Sequence, residues 1–202
     1  MAPGTCTALL LVDVINHFEF PDGKRTLTQA LRISPRLRRL KERARRAGMP
    51  VIYVNDNFGR WRSEMSDLVA YCTRPEAMGR RFVEQLRPER EDYFVLKPRH
   101  SAFYQTPLEI LLQYLRASEL VVCGLATNSC VLCTAHDAKM RNFQLIVPSD
   151  GSASRSRLEH ERAIEHIRTM IDAATTPTGK LRLGKSGMQA IKAVTRRTSM
   201  SP

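Results

Sequence analysis

The chain has 202 residues, 43% of them hydrophobic and 26% charged, which suits one soluble domain with a core of its own. No apolar run reaches the ~18–20 residues of a membrane span. The N-terminus also lacks a basic stretch followed by an apolar one and a small-residue cleavage site, so a cytoplasmic protein without membrane partners is expected. The net charge of +12 brings nucleic acid to mind as a partner. Its surplus falls on Arg36 to Arg46 and on a tail, residues 176–202, that holds Lys180, Arg182, Lys185, Lys192, Arg196 and Arg197 without any Asp or Glu. Neither run is interleaved with aromatics on which bases would stack, so nucleic acid is not the expected partner.

Buried strands and amphipathic helices alternate along the chain. Ala8 to Val12 is a continuous apolar run ending at Asp13, the pattern of a strand covered on both faces. A helix is predicted from Leu27 to Ala47, stopped by Gly48. A second strand, Val51 to Val54, ends at Asn55 and Asp56. A helix over Gly79 to Leu86 is broken by Pro88, and Tyr93 to Leu96 is a third strand ending at Lys97. Leu108 to Arg116 reads as a helix, and Glu119 to Cys123 as a strand closed by Gly124. Asn128 to Arg141 suits a helix, Phe143 to Val147 a fifth strand, and Arg157 to Ala173 a last helix. This alternation implies an α/β fold with a mainly parallel sheet covered on both faces. From Thr175 onward the chain is expected to leave the packed domain, which gives a domain over residues 1–175 and a peripheral basic tail.

Parallel sheets bind ligands at the carboxyl ends of their strands. Asp13 and Lys97 each lie just past such an end, and Cys130 follows the fourth strand by a short turn and opens a helix. Three residues far apart in sequence are thereby delivered to one rim. A cysteine attacks as thiolate, and a helix N-terminus and a nearby lysine both favour the anion. Asp13 is a candidate to take the thiol proton and return it to a leaving amine, with backbone N–H groups before Cys130 holding an oxyanion. Together these parts suffice for acyl transfer to water.

The five cysteines, Cys6, Cys72, Cys123, Cys130 and Cys133, are an odd set without disulfide-scaffold spacing. Cys130 and Cys133 form a C-x-x-C, but no second ligand pair accompanies it as zinc would require. A redox pair is a competing reading, although no thioredoxin-like context surrounds it. His136 lies about 9 Å along a helix from Cys130 and off its face, which argues against a papain-like pair.

The stretch Gly124-Leu125-Ala126-Thr127-Asn128-Ser129-Cys130-Val131, continuing through Thr134, Ala135, Asp137 and Ala138, resembles the signature of the isochorismatase-like cysteine hydrolases. Leu10-Leu11-Val12-Asp13 with Asn16 and Phe18 is similar to that family's first strand and aspartate. Lys97-Pro98-Arg99-His100-Ser101-Ala102-Phe103 is similar to its lysine segment. The resemblance covers about residues 7–173. It implies a three-layer α/β/α fold, a catalytic Asp13, Lys97 and Cys130, and a non-proline cis peptide at Leu125–Ala126. It also implies an oxyanion hole made of the Ala126 and Cys130 amides. The namesake isochorismatases cleave a vinyl ether and lack the cysteine, so Cys130 favours the branch that hydrolyses small amide, carbamoyl or lactam C–N bonds. Relatives are commonly dimers or tetramers, and a homo-oligomer acting on a small molecule is expected.

One departure is informative. Nicotinamidases carry an Asp-Trp-His metal motif where this chain has Asp56-Asn57-Phe58, and Phe58 cannot ligate a metal. The expectation is a metal-independent enzyme without cofactor, similar to the metal-free branch that includes streptothricin hydrolase. Phe18, Asn57, Trp61, Phe103 and Tyr104 lie in loops after the first three strands and are candidates to contact substrate. His17 and Arg60 are further candidates, Arg60 through a carboxylate. A non-catalytic binding or scaffolding protein that kept the fold is the alternative.

Overall fold

A computed structural model describes residues 6–59, 61 and 64–184 of the chain. Its strands are β1 (Cys6–Val12), β2 (Val51–Asp56), β3 (Tyr93–Lys97), β4 (Ala117–Leu125), β5 (Gln144–Ile146) and β6 (Ser152–Ala153). The helices are α1 (Gly23–Arg46), α2 (Met65–Thr73), α3 (Arg80–Gln85), α4 (Leu108–Tyr114), α5 (Leu132–Met140) and α6 (Arg157–Thr169). The described strands form one sheet of order β3-β2-β1-β4-β5, with β6 paired to β4, and every pairing is parallel.

Side chains alternate across the central strands. Leu9 and Leu11 of β1, with Val51 and Tyr53 of β2, face a core that includes Leu37 and Leu40 of α1, Leu68 of α2 and Phe82 of α3. Ala8, Leu10, Val12, Ile52 and Val54 face the opposite core, with Leu108 and Leu112 of α4, Ala135 and Ala138 of α5 and Ile167 of α6. The result is a three-layer α/β/α domain with β1 and β4 at its centre. Because both faces are covered, these strands read as unbroken apolar runs.

Helix α1 tolerates Pro35 in its interior. Proline has no N–H to offer the Leu31 carbonyl one turn earlier. The Ser34 hydroxyl takes that place, donating to Leu31 O at 3.1 Å.

The fourth strand does not stop at Gly124 but runs on to Leu125. Gly124 has φ 126°, and a Cβ there would sit 2.0 Å from the Val12 carbonyl oxygen. Glycine is required for this conformation and this approach. The backbones of β1 and β4 are thus in contact where both strands end.

The chain also stays packed beyond Thr175. Ala174 bridges to Ile146, and Thr178 and Leu181 are buried. Arg43 donates to the carbonyls of Thr178 at 2.8 Å and Leu181 at 2.5 Å. The expected boundary therefore falls too early, because the described part of the tail covers the end of α1. The basic residues Lys185, Lys192, Arg196 and Arg197 lie outside the described residues, as does Arg60.

Candidate active site

The strand order changes direction between β1 and β4, the topological position where open α/β sheets bind their ligands. Asp13 follows β1 there and Cys130 follows β4. Lys97 comes from the edge strand β3, two strands away, and its position is a matter of register. Val12 pairs with Val54, whereas Lys97 pairs with Asp56 further out. The overhang of β2 and β3 lifts Lys97 above the end of β1, and its long side chain reaches inward.

The three groups converge. Lys97 Nζ lies 3.0 Å from Asp13 Oδ2 and donates to Cys130 Sγ at 3.4 Å and to the Arg99 carbonyl at 3.1 Å. Asp56 Oδ2 is 3.7 Å from the same ammonium. Asp13 Oδ1 accepts the Asp56 amide at 2.6 Å. Asp13 and Cys130 are buried and Lys97 has no exposed surface, so this charge pair is desolvated.

The electrostatics differ from the sequence expectation at the sulfur. A helix start and a lysine were expected to favour thiolate. Instead, burial and the neighbouring Asp13 carboxylate push the Cys130 thiol up to about 12, against the opposing pull of Lys97. Burial raises Asp13, and Lys97, Cys130 and the Asp56 amide offset only part of this. Burial works against the Lys97 charge, but Asp13, Cys130 and Asp56 outweigh it and hold the ammonium above its ordinary value. Burial thus works against charge on both Asp13 and Cys130, and Lys97 works for it on both.

Local sequence explains how each piece is held. Asp13 adopts φ 51°, a left-handed turn that aspartate tolerates better than most residues. The fully buried Asn55 ties the following loop to β2, accepting from the Ile15 amide at 3.2 Å and donating to the Ile15 carbonyl at 2.6 Å. The Leu125–Ala126 peptide is cis. Next comes a π turn, Thr127–Val131, in which Ala126 O accepts the amides of Ser129 at 3.0 Å and Val131 at 3.2 Å. Asn128 is fixed by Ser154 Oγ, which accepts its amide at 3.3 Å and donates to its side chain at 2.8 Å. Thr127 Oγ1 meets His160 Nδ1 at 2.8 Å, and His160 Nε2 meets the Ser149 carbonyl at 2.9 Å. After Lys97, Ser101 bonds Asp137, and the Ala102 amide donates to Thr134 Oγ1 at 3.0 Å, tying the lysine segment to α5.

The candidate substrate contacts divide. Phe18 is fully buried and packs edge-on against Phe82 with centroids 5.5 Å apart, so it belongs to the core. Phe103 is likewise a core residue, with its ring 5.8 Å from Phe143 and the Arg141 guanidinium 4.9 Å above it. Both rings are held by core packing, and Phe103 shares its cluster with Cys130. Asn57 is buried beside the triad, its amide donating to the Lys97 carbonyl at 3.2 Å. Trp61 and Tyr104 are exposed, at 79% and 53%. His17 packs on Phe58, centroids 4.6 Å apart.

Two residues escaped the sequence reading. Asn55 pins the rim, and its signal was a polar residue ending an apolar strand. His100 Nδ1 lies 3.7 Å from Cys130 Sγ and 3.4 Å from Ser129 Oγ. Its separation of 30 positions from Cys130 concealed that contact. Cys130 and Cys133 are not joined in a disulfide. Among the described residues no group of three or more His, Cys, Asp or Glu side chains is placed to hold a metal ion. No described helix is long and apolar enough to cross a membrane.

The isochorismatase domain family model matches residues 7–178. An uncharacterized isochorismatase family protein of Bacillus subtilis, YaaI, is 38% identical over 169 residues, covering 84% of this chain and 92% of that protein. A ureidoacrylate amidohydrolase, RutB, of Methylobacterium radiotolerans is 30% identical over 81% of this chain and 73% of its own length. The crystal structure of N-carbamoylsarcosine amidase from Thermoplasma acidophilum superposes with a TM-score of 0.67 at 26% identity, over 88% of this chain and 99% of that one. With this family match and these relatives, the chain belongs to the isochorismatase family of hydrolases.

Proposed function

We propose that this protein is a cysteine-dependent hydrolase that cleaves the C–N bond of a small amide, carbamoyl or lactam substrate through an acyl-enzyme, without a metal ion. The observation that carries this reading is the position of Lys97. Its ammonium lies 3.0 Å from the Asp13 carboxylate and 3.4 Å from the Cys130 sulfur, with all three residues buried. The names of RutB and of the carbamoylsarcosine enzyme, both acting on C–N bonds, support the same reaction class.

The sequence of events follows from the charges. Asp13 takes the Cys130 proton as the sulfur attacks the substrate carbonyl carbon, and Lys97 offsets the negative charge that this exchange leaves at the rim. The Ala126 and Cys130 amides receive the oxyanion. Asp13 then gives its proton to the leaving nitrogen, the C–N bond breaks, and a thioester remains on Cys130. Water hydrolyses the thioester and releases the acid. Asn57, Trp61 and Tyr104 are the side chains we assign to substrate contact. Phe58 in place of a metal-binding histidine supports metal independence.

The test is a panel of small amides, carbamoyl compounds and lactams assayed with wild type and Cys130→Ala. The reading expects ammonia or amine release that disappears in the variant. Full activity in Cys130→Ala would sink it. Stoichiometric zinc or iron lost together with activity on chelation would overturn the metal-free part alone.

A further inference from the structure

From the position of His100 we infer a second acid–base residue at this site, one that moves the proton in the hydrolysis of the thioester; the inference rests on the acyl-enzyme reading above. His100 follows β3 on the loop to α4 and is exposed, while Asp13 and Lys97 beneath the sulfur are buried. Its Nδ1 is 3.7 Å from Cys130 Sγ, within the range of a hydrogen bond to sulfur. The chain on either side of the imidazole is held in place. The preceding residue's carbonyl accepts from Lys97 Nζ at 3.1 Å, and the following residue, Ser101, is bonded to Asp137. The Ser129 hydroxyl lies 3.4 Å from the same ring nitrogen.

The two half-reactions ask for different things. In the first, Asp13 accepts the thiol proton and delivers it to the leaving nitrogen, so it ends as carboxylate. In the second, a water must lose a proton and the departing sulfur must regain one. His100 faces both solvent and sulfur. Its neutral Nδ1 accepts a proton from the water as the new O–C bond forms. The resulting imidazolium N–H donates that proton to sulfur as the C–S bond breaks. The products are a carboxylic acid, a restored thiol and a neutral ring, so atoms and charge balance without a co-reactant. Imidazole is suited to this role because a ring nitrogen that has accepted a proton becomes a donor.

The partition of rates tests this. With 4-nitrophenyl acetate as probe, stopped-flow kinetics separate nitrophenolate release on acylation from the slower turnover that follows. In His100→Gln the burst should persist at its wild-type rate, while turnover falls on the order of 100-fold and acetyl-Cys130 accumulates in the quenched protein by mass spectrometry. Added imidazole should restore part of the turnover in His100→Ala. Since His100 is exposed, thermal unfolding of both variants should match wild type. A slower burst with unchanged second phase, or both phases unchanged, would overturn the assignment. A burst that survives Cys130→Ala is a different result, for it would contradict the cysteine nucleophile itself.

Discussion

Asp13 and Lys97 form a buried ion pair across the width of two strands, 3.0 Å apart with the lysine wholly sealed from solvent. Removing one partner of such a pair leaves the other charge unpaired in a low dielectric. Lys97→Met should therefore abolish hydrolysis and cost about 3–5 kcal/mol of stability by urea denaturation. The cost should depend on pH. Asp13 is already raised above 3.8 by burial, and loss of Lys97 raises it further. A group with a raised folded value loses its contribution as pH rises through that value. Lys97→Met should thus lose stability relative to wild type as pH rises from about 4 towards neutrality, and regain it on acidification.

Asp13 also controls the thiol. Burial and Asp13 together push Cys130 up to about 12, so in the free protein iodoacetamide should alkylate it slowly at neutral pH. Asp13→Asn removes the anion while leaving Lys97 beside the sulfur. Alkylation of Cys130 at pH 8 should then quicken by at least about tenfold while hydrolysis falls by 10²–10⁴. Peptide mapping of the alkylated cysteine checks this. If alkylation slows together with hydrolysis, the carboxylate is not what keeps the thiol protonated.

At the contact of β1 and β4, Gly124→Ala would bring a Cβ within 2.0 Å of Val12 O at φ 126°. Both strain and overlap act on the strand ends that carry the site, and the change should cost about 3 kcal/mol or more. Gly179 has nothing within 4 Å of an added Cβ, so Gly179→Ala should leave the unfolding midpoint near wild type.

The segment after α6 offers a third stability test. Truncation after Thr175 removes buried Thr178 and Leu181 and the carbonyls that Arg43 binds. It should be less stable by about 2–5 kcal/mol than truncation after Gly184, the scale of losing one buried leucine. Equal stability of the two would show that the segment adds nothing to the domain.

The main strands were legible because the central sheet is covered on both faces. Ala8 to Val12 and Val51 to Val54 carry no polar break until they reach the rim, where Asp13 and Asn55 begin. Helix α2 was missed: its first turn is closed by Glu64 and Asp67 rather than by a serine or threonine, and it carries little apolar periodicity. Two-residue β6 is too short to give a pattern. At the site, Asp13, Lys97 and Cys130 could be placed on one rim because each follows a strand. What they do to one another could not, since the desolvation that raises Cys130 depends on how completely the rim closes. Phe18 and Phe103 show the same limit from the other side. Loop position suggested substrate contact; at Phe18 the backbone turns, φ 60°, and the ring packs in the core.

The central claim is that Cys130 carries the acyl group, and the most direct measurement is the mass of the protein quenched during turnover. With a hydrolysed substrate from the panel, the account predicts an adduct of the acyl mass that maps to Cys130 and is absent, along with turnover, in Cys130→Ala. Turnover that continues in Cys130→Ala, or an adduct that maps to another residue, would contradict it.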